Sequence, residues 1–344
     1  MRIFLFLLTL ISFSAMAQVD PGTGADGACT GATITGGAAV YNCSTLNITA
    51  GTYNFPASPA PTVRVKVQGD VVIDSGVILN LSGEDGVPDS TETQNGALGG
   101  AGAEDGGGNL TGAQDAANTP NGGSKGVGTI TCGGGGGGGG FTNNANNGSS
   151  CAGGAGGAGG TLYDITLGFR GGFGGGAGGE GDFGSPLKTG TGGGGGGAIW
   201  ISAGGDITIN GTINVSGGDG GAGVLKSGGG GGGSGGAIRV QSLGDVVNNA
   251  TFNIAGGSGG LGHTAGARGS DGSVGLFQFE DADNVVYGTG TGARAFPGSS
   301  ETFNSSITCG AVKMKDDQHL FQMIAGFMFV ILISRILARY RRSV

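Results

Sequence analysis

A segment that nearly repeats itself after 39 residues is the feature that most constrains the fold of this chain. Residues 205–217 read GDITINGTINVSG, and residues 244–256 read GDVVNNATFNIAG. Residues 69–83, GDVVIDSGVILNLSG, form an earlier copy with two additional residues. Repeats with a fixed period indicate stacked units, each of which is too small to bury an apolar face alone.

Apolar and polar residues alternate within each copy, as at Ile207, Ile209, Ile213 and Val215. β-Branched residues in alternation, interrupted by Gly-Asp or Asn-Gly, are typical of short strands joined by tight turns. The segments VRVKV, AIWIS and AIRVQ precede the three copies and read as further strands. The pattern predicts an all-β fold, a β-solenoid or β-helix of stacked strand repeats. An antiparallel β-sandwich is the alternative.

One asparagine occupies the same place in every copy, at Asn80, Asn214 and Asn253. Side-chain amides form ladders where identical positions lie over one another at strand spacing. Stacking in register therefore predicts a ladder of these three side chains.

Glycine accounts for 87 of the 344 residues and dominates a long insertion between Gly83 and Gly197. Within it, GGAGGAGGT at Gly153–Thr161 places a residue with a side chain at every third position. An extended left-handed helix has three residues per turn, and glycine allows backbones to approach closely. The rhythm predicts polyglycine-II-like excursions from the solenoid, ordered only as a bundle. Flexible coil is the alternative.

The chain divides into segments of different composition. Its start combines Arg2, an apolar run and Ala15-Met16-Ala17, which is typical of an export signal. We predict the following domains: signal peptide 1–17, N-terminal capping region 18–62, glycine-rich β-repeat domain 63–309, polar spacer 310–319, transmembrane helix 320–338 and basic cytoplasmic tail 339–344.

Residues 320–338 reach the length of a membrane span if Arg335 extends toward the membrane surface. The arginines that follow indicate a cytoplasmic C-terminus. Residues 18–309 carry 9 Lys/Arg and 22 Asp/Glu, and this acidic body argues against nucleic-acid binding. We expect a cell-envelope protein whose body is periplasmic or extracellular and whose anchor is a single C-terminal helix.

All five cysteines lie in the part predicted to be exported, where cysteines tend to pair. Their spacing suggests Cys29 with Cys43 and Cys132 with Cys151, which leaves Cys309 without an assigned partner. Neither a CxxC pair nor a nearby histidine supports a zinc site, and we predict no metal and no cofactor.

Glycine runs followed by GGAI, and strands followed by Ser-Gly-Gly or Ala-Gly-Gly, occur at 192–199, 212–221, 229–238 and 251–260. In these motifs the chain resembles bacterial glycine-rich secreted and surface proteins of adhesin type. It is also loosely similar to phage tail-fibre tip adhesins built from polyglycine sandwiches. The resemblance implies a β-solenoid or polyglycine sandwich that serves adhesion or envelope structure.

The repeated aspartates Asp70, Asp206 and Asp245 have three interpretations. They can form the turns between strands, they can bind calcium in a ladder, or they can supply the paired carboxylates of a β-helical polysaccharide lyase or hydrolase. The turn interpretation is favoured, and we predict no catalytic residues. A non-enzymatic surface protein is therefore the expected function, and the polysaccharide-acting enzyme is the alternative.

The few aromatic residues mark the candidate ligand-binding site. Phe169, Arg170, Phe173 and Phe183 lie in the glycine-rich insertion, and Trp200 aligns with Arg239 on an outward-facing position of the repeat. Rings at loop tips can bind surface glycans or proteins. Alternatively, the rings pack between glycine helices as the large side chains available there.

Overall fold

The computed structural model describes residues 19–88, 95–108, 115–116, 121–164, 168–181, 189–280 and 286–287. They all belong to one compact unit, residues 1–299. Its elements in chain order are β1 Ala28–Cys29, α1 Gly31–Ile34, β2 Val40–Cys43, β3 Thr45–Ile48, β4 Gly51–Asn54, β5 Val63–Val67, β6 Val71–Ile73, β7 Val77–Asn80, β8 Ala198–Ala203, β9 Ile207–Ile209, β10 Thr212–Asn214, β11 Ala237–Ser242, β12 Val246–Asn248, β13 Thr251–Asn253, β14 Leu276–Glu280 and β15 Val286–Tyr287.

The strands form three parallel sheets, as a solenoid requires. Sheet 1 has the order β1-β3-β6-β9-β12-β15, sheet 2 the order β2-β5-β8-β11-β14, and sheet 3 the order β4-β7-β10-β13. From β2 onward, neighbours in each sheet are three strands apart in the chain, so each coil contributes one strand to each sheet. The all-β, solenoid-like prediction is confirmed, and the parallel pairing rules out the antiparallel sandwich.

The copies stack in the register that the repeat predicts. Thr212 pairs with Thr251, and Asn214 lies between Asn80 and Asn253. The first coil of three strands begins at Val40, one coil before the first repeat recognisable in the sequence. The sequence of that coil is too divergent for the repeat pattern to detect.

The apolar residues of alternating strand positions point into the solenoid and form its core. Val65, Ile73, Leu79, Ile201 and Ile207 have no exposed surface. Full burial of such a side chain contributes about 1.5–3 kcal/mol. Toward the last described coil the core contains three packed rings, with centroids 5.4–5.6 Å apart; they are Phe252, Phe277 and Phe279.

Glycine-rich excursions leave the solenoid after strands of sheet 3 and return before strands of sheet 2. Their described residues lie within the intervals 81–197, 215–236 and 254–275. The N–H groups of residues 192–197 donate, in order, to the carbonyl oxygens of Gly107, Gly231, Glu84, Glu104, Ser234 and Leu81. Residues three positions apart therefore bond to the same neighbouring segment, and residues 192–197 donate to three neighbouring segments in all. The described residues of the excursions are thus ordered by backbone hydrogen bonds.

Close approach of backbones explains why these positions hold glycine. A Cβ on Gly193 would lie less than 3.0 Å from the carbonyl oxygen of Gly218, and one on Gly231 would lie equally close to that of Gly137. Neither Gly193 nor Gly231 has a positive φ. The requirement at these sites is therefore the absence of a side chain and not an unusual backbone conformation.

Both predicted disulfides are present. Cys29 and Cys43 have an S–S distance of 1.94 Å and join β1 to β2, and Cys132 and Cys151 have an S–S distance of 2.15 Å. The predicted signal peptide 1–17, the spacer 310–319, the helix 320–338 and the tail 339–344 lie outside the described residues, as does Cys309. Within the described ranges, no helix has the length and apolar character of a membrane span.

Substitution of a closely packed glycine tests whether close backbone packing orders the glycine-rich excursions. We expect Gly231→Ala to lower the free energy of unfolding by about 2 kcal/mol or more, because its Cβ would overlap a carbonyl oxygen. Gly36→Ala is the matched control, since the nearest atom to its Cβ would be 3.4 Å away. Denaturant titration measures both. Equal stability of the two variants would contradict the packing described here.

Candidate functional site

The asparagine ladder runs along sheet 3 and includes one member that the repeat did not reveal. The Asn80 Nδ2 group donates to Asn54 Oδ1, and the Asn214 Nδ2 group donates to Asn80 Oδ1, both at 2.9 Å. Asn253 pairs in register with Asn214. The predicted alignment is confirmed, and the ladder joins successive coils.

The repeated aspartates also join coils. Asp70 Oδ1 accepts a hydrogen bond from the backbone N–H of Asp206, and Asp206 Oδ1 accepts one from that of Asp245, both at 2.9 Å. A second row of aspartates does the same in the excursions. Asp85 Oδ1 accepts from the backbone N–H of Asp219 at 2.8 Å, and Asp219 Oδ1 accepts from that of Ser258 at 2.6 Å. These carboxylates have a structural use.

Trp200 lies on the outer side of sheet 2 between two arginines. Arg64 and Arg239 are its register partners on β5 and β11, the strands that flank β8. Their Cζ atoms lie 5.2 and 4.5 Å from the centroid of the indole ring. Because the two strands lie on opposite sides of β8, both faces of the ring are covered by cations.

The indole nitrogen of Trp200 also forms a hydrogen bond. Trp200 Nε1 donates to Gln241 Oε1 at 2.7 Å, and Gln241 donates to Glu280. Arg239 Nη2 lies 2.9 Å from Glu280 Oε1 in an ion pair whose side chains are both 22% exposed. Trp200, Gln241, Glu280 and Arg239 are therefore joined by hydrogen bonds and an ion pair, whereas Arg64 beside the ring is exposed.

One residue predicted from the insertion, Phe169, lies against Trp200, and two others, Arg170 and Phe173, contact each other nearby. The Phe169 ring meets Trp200 edge-on at 5.9 Å, and Arg170 pairs with Glu104 while its Cζ lies 4.4 Å from the centroid of Phe173. Phe173 is only 1% exposed. The expectation of an exposed ring is wrong for Phe173, which instead follows the alternative of packing among the glycine segments. Phe183 lies outside the described residues.

Two rings that the sequence did not single out complete the cluster. Phe141 stacks on Tyr163 at 5.8 Å, and both contact Phe173. Burial raises the pKa of the Tyr163 hydroxyl. Aligning the strand VRVKV with AIWIS in the register of the repeat would have identified Arg64 as a neighbour of Trp200. No periodic signal in the sequence marks Phe141 or Tyr163.

The N-terminal segment covers part of the same side of sheet 2. The Asp20 carbonyl accepts from Ser202 Oγ at 2.6 Å, and Lys66 Nζ lies 2.5 Å from Asp20 Oδ2. The hydrogen bond from Lys66, aided by one from the Gly22 N–H, lowers the pKa of Asp20. This contact reduces the outer surface that could receive a ligand.

Among the described residues, no group of three or more His, Cys, Asp or Glu side chains is placed to hold a metal ion. Ser234, which lies in a GxSxG match, is buried; its Oγ accepts from the Phe173 N–H at 2.7 Å and donates to the Phe173 carbonyl oxygen at 3.3 Å. Its hydroxyl therefore fixes two segments together.

A second surface lies where the excursions turn back, at the ends farthest from the sheets. We define the tip surface by Val127, Ile130, Leu225 and Leu261, which are 47–67% exposed. Among the described residues, positive φ outside glycine occurs at Leu225 (45°), Lys226 (66°) and Thr264 (52°), all in these turns. Such a conformation costs about 1–2 kcal/mol per residue that has a side chain.

Comparisons with known proteins give no further guide to the site. The chain matches no family model, and neither curated proteins nor solved structures provide a significant match.

Substitution of Trp200 tests whether its indole ring has a structural role or a ligand-binding role. We expect Trp200→Ala to lower the free energy of unfolding by about 2 kcal/mol, because two cation–π contacts and one ring contact are lost. Trp200→Phe should recover part of this loss, and Leu243→Ala, at a residue 53% exposed, should change little. Thermal and denaturant unfolding provide the measurement. Unchanged stability in Trp200→Ala would contradict the structural role.

Proposed function

We propose that this chain is an exported, membrane-anchored surface protein with an adhesive or structural role and without enzymatic activity. The observation that carries the proposal is that the repeated carboxylates accept hydrogen bonds from backbone N–H groups. Asp70 and Asp206 each hold a backbone N–H group of the following coil, so they strengthen the stack. A polysaccharide-cleaving site would instead need carboxylates that face a common groove with room for substrate and water.

The form of the excursions supports a mechanical role. Bonding partners that recur every third residue agree with an extended helix of three residues per turn, and we infer that the excursions are polyglycine-II-like helices. The segments 192–197 and 228–236 each donate to three neighbouring segments and accept from others, so the bundle resists bending without a large apolar core. A rigid projection of this kind suits a protein that spans or extends from a cell envelope.

The proposed location rests on several independent features. Two disulfides favour an oxidising compartment outside the cytosol. Export through residues 1–17 and anchoring through residues 320–338 follow from the sequence pattern and are part of the proposal. The positive tail would face the cytoplasm, which places the glycine-rich body on the other side of the membrane.

Surface proteolysis of intact cells that produce the full chain tests this proposal. We expect added protease to remove the body while a cytoplasmic marker remains intact, because the body is outside. A variant that lacks residues 320–338 should appear in the culture medium or periplasm instead. A full chain protected until the outer envelope is opened would contradict a surface role, and one protected until the cytoplasmic membrane is broken would contradict export. Polysaccharide cleavage by the purified chain that is lost in Asp206→Asn would contradict the non-enzymatic role.

A further inference from the structure

We propose that the outer face of sheet 2 binds the carboxylate of an acidic sugar through Arg64. This inference rests on the proposed adhesive function and gives it a ligand class, glycans that contain uronate or sialate groups. The face offers an exposed guanidinium group, an aromatic ring that supports it and an exposed apolar side chain beside it.

Arg64 differs from the other cations near this face in its lack of an acidic partner among the described residues. Each of the other three is paired with a carboxylate: Lys66 with Asp20, Arg170 with Glu104 and Arg239 with Glu280. Arg64 is exposed, and no carboxylate in the described part of the chain lies within ion-pair distance of its guanidinium group. Its positive charge is therefore available to a ligand.

Trp200 holds the guanidinium group of Arg64 in place. The Cζ atom of Arg64 lies 5.2 Å from the centroid of the indole ring, which is itself fixed by the hydrogen bond to Gln241 and by the edge contact with Phe169. A guanidinium group that stacks on a ring still presents planar N–H donors, whose geometry matches a carboxylate. Because the group is held before binding, less conformational entropy is lost when a carboxylate arrives.

The local charge of this face differs from that of the whole body. Residues 18–309 carry 22 acidic and 9 basic side chains, yet four of the basic ones lie on or beside sheet 2. After the three ion pairs are formed, the charge of Arg64 is in excess. Charges farther away than about 8 Å are largely screened at physiological ionic strength. A single sugar carboxylate is thus attracted here, whereas nucleic acid would need many more basic contacts.

The pairing of the strands favours a sugar over an extended peptide. Strand β5 lies between β2 and β8, and β8 lies between β5 and β11, so neither has an open edge to which a peptide strand can add. Recognition at Arg64 therefore depends on side chains. Val40, its register partner on β2, is 39% exposed and can contact the C–H groups of a sugar ring whose carboxylate binds Arg64.

Glycan binding by the full-length chain, purified in detergent, tests the inference. The probes are oligogalacturonate and sialyllactose, and their matched controls, methyl-esterified oligogalacturonate and lactose, lack the charged carboxylate. We expect calorimetry to detect binding of at least one acidic probe and of neither control. Arg64→Ala should lower the affinity about tenfold or more, because the charge-assisted hydrogen bonds are lost. Arg64→Lys should lower it less, since it keeps the charge without the planar fork.

Two controls separate binding from folding and from net charge. Lys125→Ala removes one exposed positive charge from the glycine-rich insertion and should bind like the wild type. The melting temperature of Arg64→Ala shows whether this variant is folded at the temperature of the titration. If it is not, Arg64→Gln takes its place, because its planar amide retains a contact with the indole.

The outcomes distinguish this inference from the proposed function. Equal binding of the esterified and charged probes would overturn the inference, and so would binding that survives in Arg64→Ala. Binding of polyglutamate without binding of either acidic sugar would identify a protein partner and also overturn it. A chain that adheres to cells but binds neither acidic sugar would overturn the sugar carboxylate and leave the adhesive function intact. A chain that does neither would overturn both.

Discussion

The hydrogen bond between glycine backbones of different segments is the interaction on which this structure depends. A glycine-rich segment bonds to a given neighbour at intervals of three residues, and its neighbours approach so closely that a Cβ would overlap their carbonyl oxygens. A single glycine segment loses much entropy on ordering, so the segments are stable only together. The solenoid makes this possible, because it fixes where each excursion leaves the sheets and where it returns.

Side-chain ladders complement the backbone bonds by setting the register of the coils. Amides stack along sheet 3 from Asn54 to Asn214, and aspartates accept N–H groups from the next coil at two further places. Each contact lies between equivalent residues of successive units, so a slip of one residue would break all of them together. The polar residues of the repeat therefore contribute to specificity of the fold, and the apolar residues inside contribute most of its stability.

The sequence repeat made the coil architecture predictable, but it did not predict which side chains lie on the surface of the protein. The periodicity of the sequence predicts that Asn80, Asn214 and Asn253 lie in register, because a fixed period and strand alternation leave few alternatives. It missed Asn54, whose coil has diverged in sequence. The burial of Phe173 could not be predicted from the sequence either, since it depends on segments distant in the chain that meet only in the glycine bundle. Local patterns carry no information about which of many similar glycine runs become neighbours.

Amide hydrogen exchange, resolved to single residues, tests most directly whether backbone bonds order the glycine segments. We predict that the N–H groups of residues 192–197 and 228–236 exchange as slowly as those of β8 and β11, because both sets are bonded within one cooperative structure. Rapid exchange throughout these glycine segments, alongside protected strands, would show that they behave as coil and would contradict the central claim.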